Sequence, residues 1–417
     1  MAPPVGPARL LGPVAGPGLD AHLDRCGARP RGERGLIEEV RRSGLRGRGG
    51  AAFPTAVKLA SVAGRRQPVV VANGTEGEPL SAKDKTLLVT APHLVLDGAA
   101  LAAEAVGATR VIVCVERIAT PAAAALEAAV AERRSMGLDG LAFEVERTPS
   151  QFVAGEETAL VHWLNGGEAK PTTVPPRPFE RGVGGRPTVV QNVETFAHLA
   201  LVARFGAGWF RELGTPDDPG TRLLTVSGAV TRPGIYEVAA GFPLREALDA
   251  AGLAPGAPPA VLVGGYFGSW LTPDQVAAAR LDVESMRGMG ASPGSGVVWA
   301  LPANGCGLAE SARISGWYAT QSAGQCGPCV NGLPAIADAF GALVTGRRAR
   351  EAANAIRRWA PMVTGRGACR HPDGAARFAL SAMNVFGPEI ERHARLGPCR
   401  ACREAALLPT PAGGGWR

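Results

Sequence analysis

Three groups of residues in this chain have types and spacings suited to chemistry. The first is a glycine-rich stretch, GLRGRGGAAFPTAVK at 44–58, which carries Arg46, Arg48 and Lys58 and runs through Pro54 into an apolar helix pattern. Glycines allow close backbone approach and positive φ, the cations supply charge, and a helix start favours an anion, so a flat or phosphorylated ligand suits such a stretch. Its spacing matches neither the Walker A pattern nor G-x-G-x-x-G, and plain turn chemistry is the competing reading. The second group is carboxylates: Glu76 and Glu78 in Asn73-Gly-Thr-Glu-Gly-Glu-Pro79, and Glu156 and Glu157 in Phe152-Val-Ala-Gly-Glu-Glu-Thr158. Carboxylates accept hydrogen bonds from polyol or ribose hydroxyls, and Asn73 can bond a heterocycle edge in both senses; acidic residues are also common at helix starts and in solvated turns. The third group is sulfur. Five of the eight cysteines (Cys326, Cys329, Cys369, Cys399 and Cys402) lie near the C-terminus, and they include two C-x-x-C pairs, a clustering that favours metal or redox chemistry.

The elements that must position these residues follow from hydrophobic periodicity. Residues 67–73 read as a buried strand, 92–108 as a helix, 109–115 as a second strand, 121–136 as a helix, and LAFEVERT as a third strand with alternating faces. That alternation predicts a parallel sheet with right-handed crossovers, in which ligands bind beyond the carboxyl ends of the strands, where both acidic motifs fall. Residues 171–187 are a Pro- and Gly-rich loop of the kind that covers a site. They lead into TVVQNVETFAHLALVARFG, where Asn192 caps a helix with Glu194 and Thr195 in its first turn. The first thirty-five residues read as an irregular arm. From about Thr221, two strands flank an Arg-Pro-Gly turn and a short helix follows; 261–275 extends this module without any reactive group. From about Asn304, LPAIADAFGALV, RRAREAANAIRRWAPMV and AARFALSAMNVF are apolar-striped segments consistent with a small helical bundle.

The totals bound the reading. A chain of 417 residues implies about two to three domains, and 46 % hydrophobic with 19 % charged residues fits a globular protein. A net charge of +7 over this length is mild, and no basic run is interleaved with aromatics, so nucleic acid is not expected as a partner and an acidic protein partner explains the charge equally well. No apolar run reaches signal-peptide or membrane-span length, so the expectation is a cytoplasmic protein without direct membrane insertion.

GLRGRGGAAFPT, NGTEGEP with KDK, GEETAL and QNVET, in this order and followed by the C-terminal cysteines, give the chain a specific likeness. It resembles the flavoprotein, NADH-oxidising (51-kilodalton) subunit of respiratory complex I and its relatives in NAD-linked formate dehydrogenases and hydrogenases. The resemblance spans nearly everything from about residue 36. It implies an α/β fold: an N-terminal arm (1–35), a parallel-sheet domain for FMN and nucleotide (36–215), a small β-grasp domain (220–300) and a helical iron-sulfur-type domain (304–417). It further implies a diaphorase-type enzyme that passes electrons between NAD(P)H and a ferredoxin-like or other iron-sulfur subunit, with FMN, NAD(H) and a [4Fe-4S] cluster as cofactors.

By the same resemblance, Gly47, Arg48, Gly49, Gly50 and Lys58 are loop ligands. Asn73, Glu76, Glu78, Gly155, Glu156, Glu157, Asn192 and Thr195 form the flavin or nucleotide shell, Phe53 lies against the nucleotide, and no side chain is required as a general acid or base. Departures accompany the matches. Thr75 stands where the family usually has Asp, Phe152 where it has Tyr, Ala154 where it has Cys and Gln191 where it has Asn; Phe152 and Gln191 keep their places in the shell. Val174-Pro-Pro-Arg177 replaces Lys-Pro-Pro-Phe, removing a cation and an aromatic from the nucleotide side.

In the family, Cys-Gly-x-Cys-x-Pro-Cys and a distant fourth Cys hold the cluster. Here the stretch is Ala323-Gly324-Gln325-Cys326-Gly327-Pro328-Cys329 with Cys369 beyond, so Cys326, Cys329 and Cys369 are the metal candidates and one ligand is alanine. Three outcomes stay open: a substitute thiolate from Cys306 or the Cys399/Cys402 tail, a three-iron cluster, or cysteines left without a cluster. Zinc on the two C-x-x-C pairs is disfavoured by their separation. His371 reads as a solvated turn residue, and Cys26 and Cys114 as buried inert thiols. The rival functional readings are a fold-retaining subunit without NADH turnover and a reversed flow from reduced ferredoxin to NAD.

Overall fold

Valine runs build the first sheet. In the computed structural model, which describes residues 8–12, 16–33, 35–254 and 258–417, β1 (Val69–Gly74), β2 (Arg110–Glu116), β3 (Ala142–Thr148) and β4 (Thr188–Asn192) pair in parallel in the order β3-β2-β1-β4. Val69, Val70, Val71 and Ala72 are buried on both faces, as a parallel sheet covered by helices requires, whereas edge strand β3 keeps its acidic residues toward water. Helix Pro92–Val106 is buried along nearly its whole length and crosses helix Val193–Arg211 so closely that a Cβ at Gly98 would lie 1.8 Å from the Phe196 carbonyl oxygen.

Three elements depart from the sequence reading. β4 is a strand, hidden in the sequence because its five residues run without a turn into the helix that Asn192 caps. Helix Lys83–Thr90 follows the first acidic motif; its buried face includes Lys83 and Asp84, so no apolar stripe announces it. The N-terminal arm holds helix Leu19–Cys26, pinned where His22 Nε2 meets Asp97 Oδ2 at 2.8 Å; Arg29, Arg133 and Arg204 converge on the same carboxylate. Cys26 is half-buried beside His22 rather than sealed in the core like Cys114.

The second sheet is mixed. β5 (Thr221–Gly228), β6 (Gly234–Ala239), β7 (Val261–Val263), β8 (Ser269–Leu271) and β9 (Val297–Ala300) pair in the order β6-β5-β9-β7-β8. The period-two alternation of its strands serves two cores. Val261, Val263, Val298 and Ala300 pack with Leu244 and Leu248 of the short helix on one face. Leu262, Trp270 and Trp299 pack on the other against the C-terminal helices Gly307–Thr320, Leu333–Thr345, Ala349–Val363, His371–Val385 and Gly387–Leu396. The bundle is therefore anchored on the β-grasp sheet, with the Trp270 indole N–H donating to Ser311 Oγ at 3.1 Å. Among the described residues, no single helix is long and apolar enough to cross a membrane.

Candidate functional site

The strand order places β1 between β2 and β4, so the carboxyl ends of β1 and β4 stand side by side and border a crevice beyond the strand ends, the region in which parallel α/β sheets bind ligands. Asn73 and Asn192 are register partners at those two ends. The Asn73 amide donates to Gly155 O at 2.8 Å, and its oxygen accepts from Thr75 N at 3.1 Å. Asn192 caps the following helix through Glu194 N and donates to Asp84 Oδ2 at 2.7 Å. The glycine loop closes the crevice from above. A Cβ at Gly49 would lie 3.1 Å from Asn192 Cβ, Gly50 has φ +108°, and Gln191 donates to Thr55 Oγ1 at 2.9 Å where the loop becomes helix Thr55–Val62. The motifs at 44–58, 73–79, 152–158 and 191–195 thus meet at one place, although they are spread over about a third of the chain.

The four strand-end carboxylates divide by role. Glu76 accepts from Asp84 N and Lys85 N, each at 3.1 Å, and caps helix Lys83–Thr90; Glu156 accepts from Thr158 N at 2.9 Å and Ala159 N at 3.1 Å and caps helix Glu157–Leu164. For these two, helix capping is an observed duty, and any ligand contact would use their remaining lone pairs. Glu157 faces the crevice and pairs with Lys58, Nζ to Oε2 2.7 Å, while Lys58 also donates to Val190 O at 3.0 Å. Glu78 is buried; Tyr266 N donates to its Oε2 at 2.8 Å and Leu80 N to its Oε1 at 3.3 Å, and burial pushes its carboxyl up to about 7. The 261–275 segment therefore faces the parallel-sheet domain, through Tyr266.

Arg48 departs from the expected ligand role, because its guanidinium points inward. It donates to Asp218 Oδ1 and Pro219 O, both at 2.8 Å, and offers the crevice only backbone; Thr195 Oγ1 accepts its N–H at 2.8 Å. Arg222 shares Asp218, and Lys83 bridges Asp84 and Glu194 at 2.7 Å each. Although burial opposes its ionisation, the Lys83 ammonium holds Glu194 down to about 2. This buried ionic layer, of which the sequence reading assigned only Arg48 to the site, fastens the loop to the start of β5. Its only sequence signal was charge directly beside two of the motifs. A narrow fissure, with room for little more than a water molecule, lies between the loop and the β8–β9 connection, touching Gly47, Gly50, Lys83, Glu194, Gly294 and Gly296. Phe53 stands at the rim, 46 % exposed, and Val174 and Arg177 are exposed on the proline loop.

Phe152 turns away from the strand ends into an aromatic cluster, its ring centroid 4.6 Å from Phe267, 4.9 Å from Trp317 and 6.0 Å from His371. His371 is not a solvated turn residue. It is 2 % exposed, its Nε2 lies 2.9 Å from Tyr318 O, and burial pushes it down to about 4. It follows Cys369, whose thiol lies within electrostatic reach of Glu156, Cys326 and Cys329. Cys326, Cys329 and Cys369 thus lie on the side of the 151–157 loop, less closely grouped than a preformed ligand set, and burial pushes the Cys329 and Cys369 thiols up to about 12 and about 11. The six C-terminal cysteines fall into two groups, because Cys306, Cys399 and Cys402 close on one another and on His393 instead. No substitute thiolate comes to the first group from them.

Comparison with known proteins matches three regions: the Nuo51 FMN-binding domain over residues 40–201, an SLBB domain over 223–260, and the NADH-ubiquinone oxidoreductase-F iron-sulfur binding region over 309–393. The F subunit of NADH-quinone oxidoreductase from Mycobacterium tuberculosis (strain ATCC 25618 / H37Rv) is 33 % identical over 387 residues, covering 87 % of this chain and 85 % of the relative. The HndC subunit of the NADP-reducing hydrogenase from Solidesulfovibrio fructosivorans is 31 % identical over 387 residues, covering 89 % and 79 %. Among solved structures, a chain of an NAD+-reducing [NiFe]-hydrogenase superposes with TM-score 0.77 in the H2-reduced state and 0.79 in the air-oxidized state, at 32 % and 30 % identity. The alignments cover 87 % and 94 % of this chain and 62 % and 67 % of the hydrogenase chain, which is longer.

Proposed function

Because this chain belongs to the family of NADH-quinone oxidoreductase F subunits and their hydrogenase counterparts, we propose that it is the diaphorase-type subunit of a larger assembly. In this reading it takes electrons from NAD(P)H at FMN and delivers them through its cysteine site to an iron-sulfur partner, a ferredoxin-like subunit being the chemistry that fits. One observation carries the reading: the 151–157 loop borders both sites, with Gly155 on Asn73 and Glu156 and Phe152 beside Cys369 and His371.

The residues fit a flavin nucleotide. Backbone is bare at Gly47, Gly49 and Gly50, a half-buried ammonium stands at Lys58 for a phosphate, and Asn73, Gln191 and Asn192 present amides at the strand ends. When bound, FMN supplies the conversion between two-electron hydride chemistry and single-electron transfer. The chain's own residues position and exclude. Lys58 would exchange Glu157 for the phosphate, releasing that carboxylate for a ribose, and the buried pairs of Arg48 and Lys83 keep the loop from collapsing into the fissure. Glu78, its oxygens tied to Tyr266 N and Leu80 N, fixes the β-grasp sheet against the crevice floor. At the second site Cys326, Cys329 and Cys369 would hold a cluster through three thiolates, and Ala323 has none to offer.

The test is an anaerobic spectrum of the purified chain. A flavin band with an iron-sulfur shoulder, bleached within seconds by NADH or NADPH, is the expected result. A fold-retaining subunit without nucleotide turnover is the second reading, favoured by Val174 and Arg177 in place of the family's cation and aromatic. It predicts a flavin that NADH and NADPH leave oxidised while dithionite reduces it, and that outcome would replace the diaphorase reading.

A further inference from the structure

Cys306, His393, Cys399 and Cys402 are far apart in sequence, yet their ligand atoms all lie within 4.8 Å of one another. Cys402 Sγ is 3.4 Å from Cys399 Sγ, 3.5 Å from Cys306 Sγ and 3.7 Å from His393 Nε2. With Zn–S near 2.3 Å, the edge of a regular ZnS4 tetrahedron is about 3.8 Å, so these atoms already stand close to the corners around one four-coordinate ion. A four-iron cluster does not fit, because each thiolate would bind a different iron at a different corner of the cube and the sulfurs would spread apart. The imidazole is already oriented as a ligand. His393 Nδ1 lies 3.2 Å from Leu343 O, where it donates its proton and leaves the Nε2 lone pair toward the sulfurs. Cys306 and His393 are buried and Cys399 and Cys402 half-buried, and four protein ligands fill all four positions, as in structural zinc sites.

We propose that these four residues form a structural zinc site, separate from the Cys326, Cys329 and Cys369 group. Three thiolates and one imidazole select zinc over hard cations, which prefer oxygen.

The placement states its purpose. The site joins the start of helix Gly307–Thr320, the helix Gly387–Leu396 and the turn at Arg400–Arg403, and from there the chain runs as an extended strap. Leu408 N donates to Glu310 Oε2 at 3.0 Å, Tyr266 Oη to Pro409 O at 2.6 Å and Trp317 Nε1 to Pro411 O at 2.8 Å. Gly414 N then donates to Ser150 O at 3.2 Å, and Ala169 N to Trp416 O at 2.8 Å, beside the loop that borders both redox sites. Zinc is the clasp at the root of this strap.

The full chain, expressed with zinc and iron supplied, should carry one zinc per chain by mass spectrometry of the metals. C399S/C402S should lose that zinc while its flavin absorbance and iron content stay at the wild-type level, and H393Q should hold zinc at least tenfold more weakly against a chromogenic chelator. Cobalt(II) exchanged into the wild type should give intense tetrahedral thiolate bands, a readout that does not depend on any variant folding. Chelation should open tryptic cleavage at Arg403. Folded wild type that takes up neither zinc nor cobalt, zinc retained in full by C399S/C402S, or iron and sulfide lost from that variant in place of zinc would each overturn the proposal.

Discussion

Replacing Glu78 by glutamine separates the charge of this side chain from its hydrogen bonds. Glu78 is 9 % exposed, and its carboxyl is held at about 7 against an ordinary 4.5, chiefly by burial. At about 1.4 kcal/mol per tenfold in proton affinity, ionising it in the folded chain costs about 3 kcal/mol. The sign follows from the raised value. Below pH 4.5 both folded and unfolded chains carry the proton and nothing is lost; from 4.5 to 7 the unfolded chain ionises first, and stability falls with rising pH; above 7 the loss is complete. Glutamine cannot ionise. It keeps the 2.8 Å bond from Tyr266 N through its carbonyl and gives up the 3.3 Å bond from Leu80 N, a cost of about 1 kcal/mol. E78Q should therefore be less stable than the wild type by about 1 kcal/mol near pH 4.5 and more stable by about 2 kcal/mol at pH 8, the two profiles crossing between. His371, pushed down to about 4, drives stability the other way as pH falls from 6.5, but it is common to both proteins and cancels in the difference. Urea unfolding at matched pH values, with both proteins at equal flavin content, measures that difference. Parallel profiles, or E78Q less stable throughout, would refute a neutral, burial-strained Glu78.

K83M leaves Asp84 and Glu194 buried without their cation, and a loss of about 3–5 kcal/mol is expected in the urea midpoint; a loss under about 1 kcal/mol would show that the ionic layer does not hold the loop. A323C restores a fourth thiol beside Cys326, and iron and sulfide per chain, with resistance of the visible shoulder to air, should rise relative to the wild type. Unchanged iron would mean that Cys326, Cys329 and Cys369 do not build a cluster that a fourth thiolate completes.

The sequence alone determined the parallel sheet, because the valine runs and alanine-rich helices alternate in a way that only crossover packing buries. It also determined the motif set, since Asn73, Glu157, Asn192 and Lys58 belong to local patterns with local signals. Helix capping by Glu76 and Glu156 was among the readings open in the sequence, and short-range geometry shows that both residues do it. Tertiary structure decided the rest. The crevice depends on β4, five residues whose partner is more than a hundred positions away. The inward turn of Arg48 depends on Asp218, and the raised proton affinity of Glu78 depends on its burial beside a β-grasp segment, at Tyr266, that no local pattern links to it. The cysteines divide by the same rule. Spacing could mark Cys326 and Cys329 as a pair and Cys399 and Cys402 as another, but only the folding of the last helix onto the first brings His393 and Cys306 to the tail. Ligand sets are made of distances, and a chain sets its long-range distances only when its cores close.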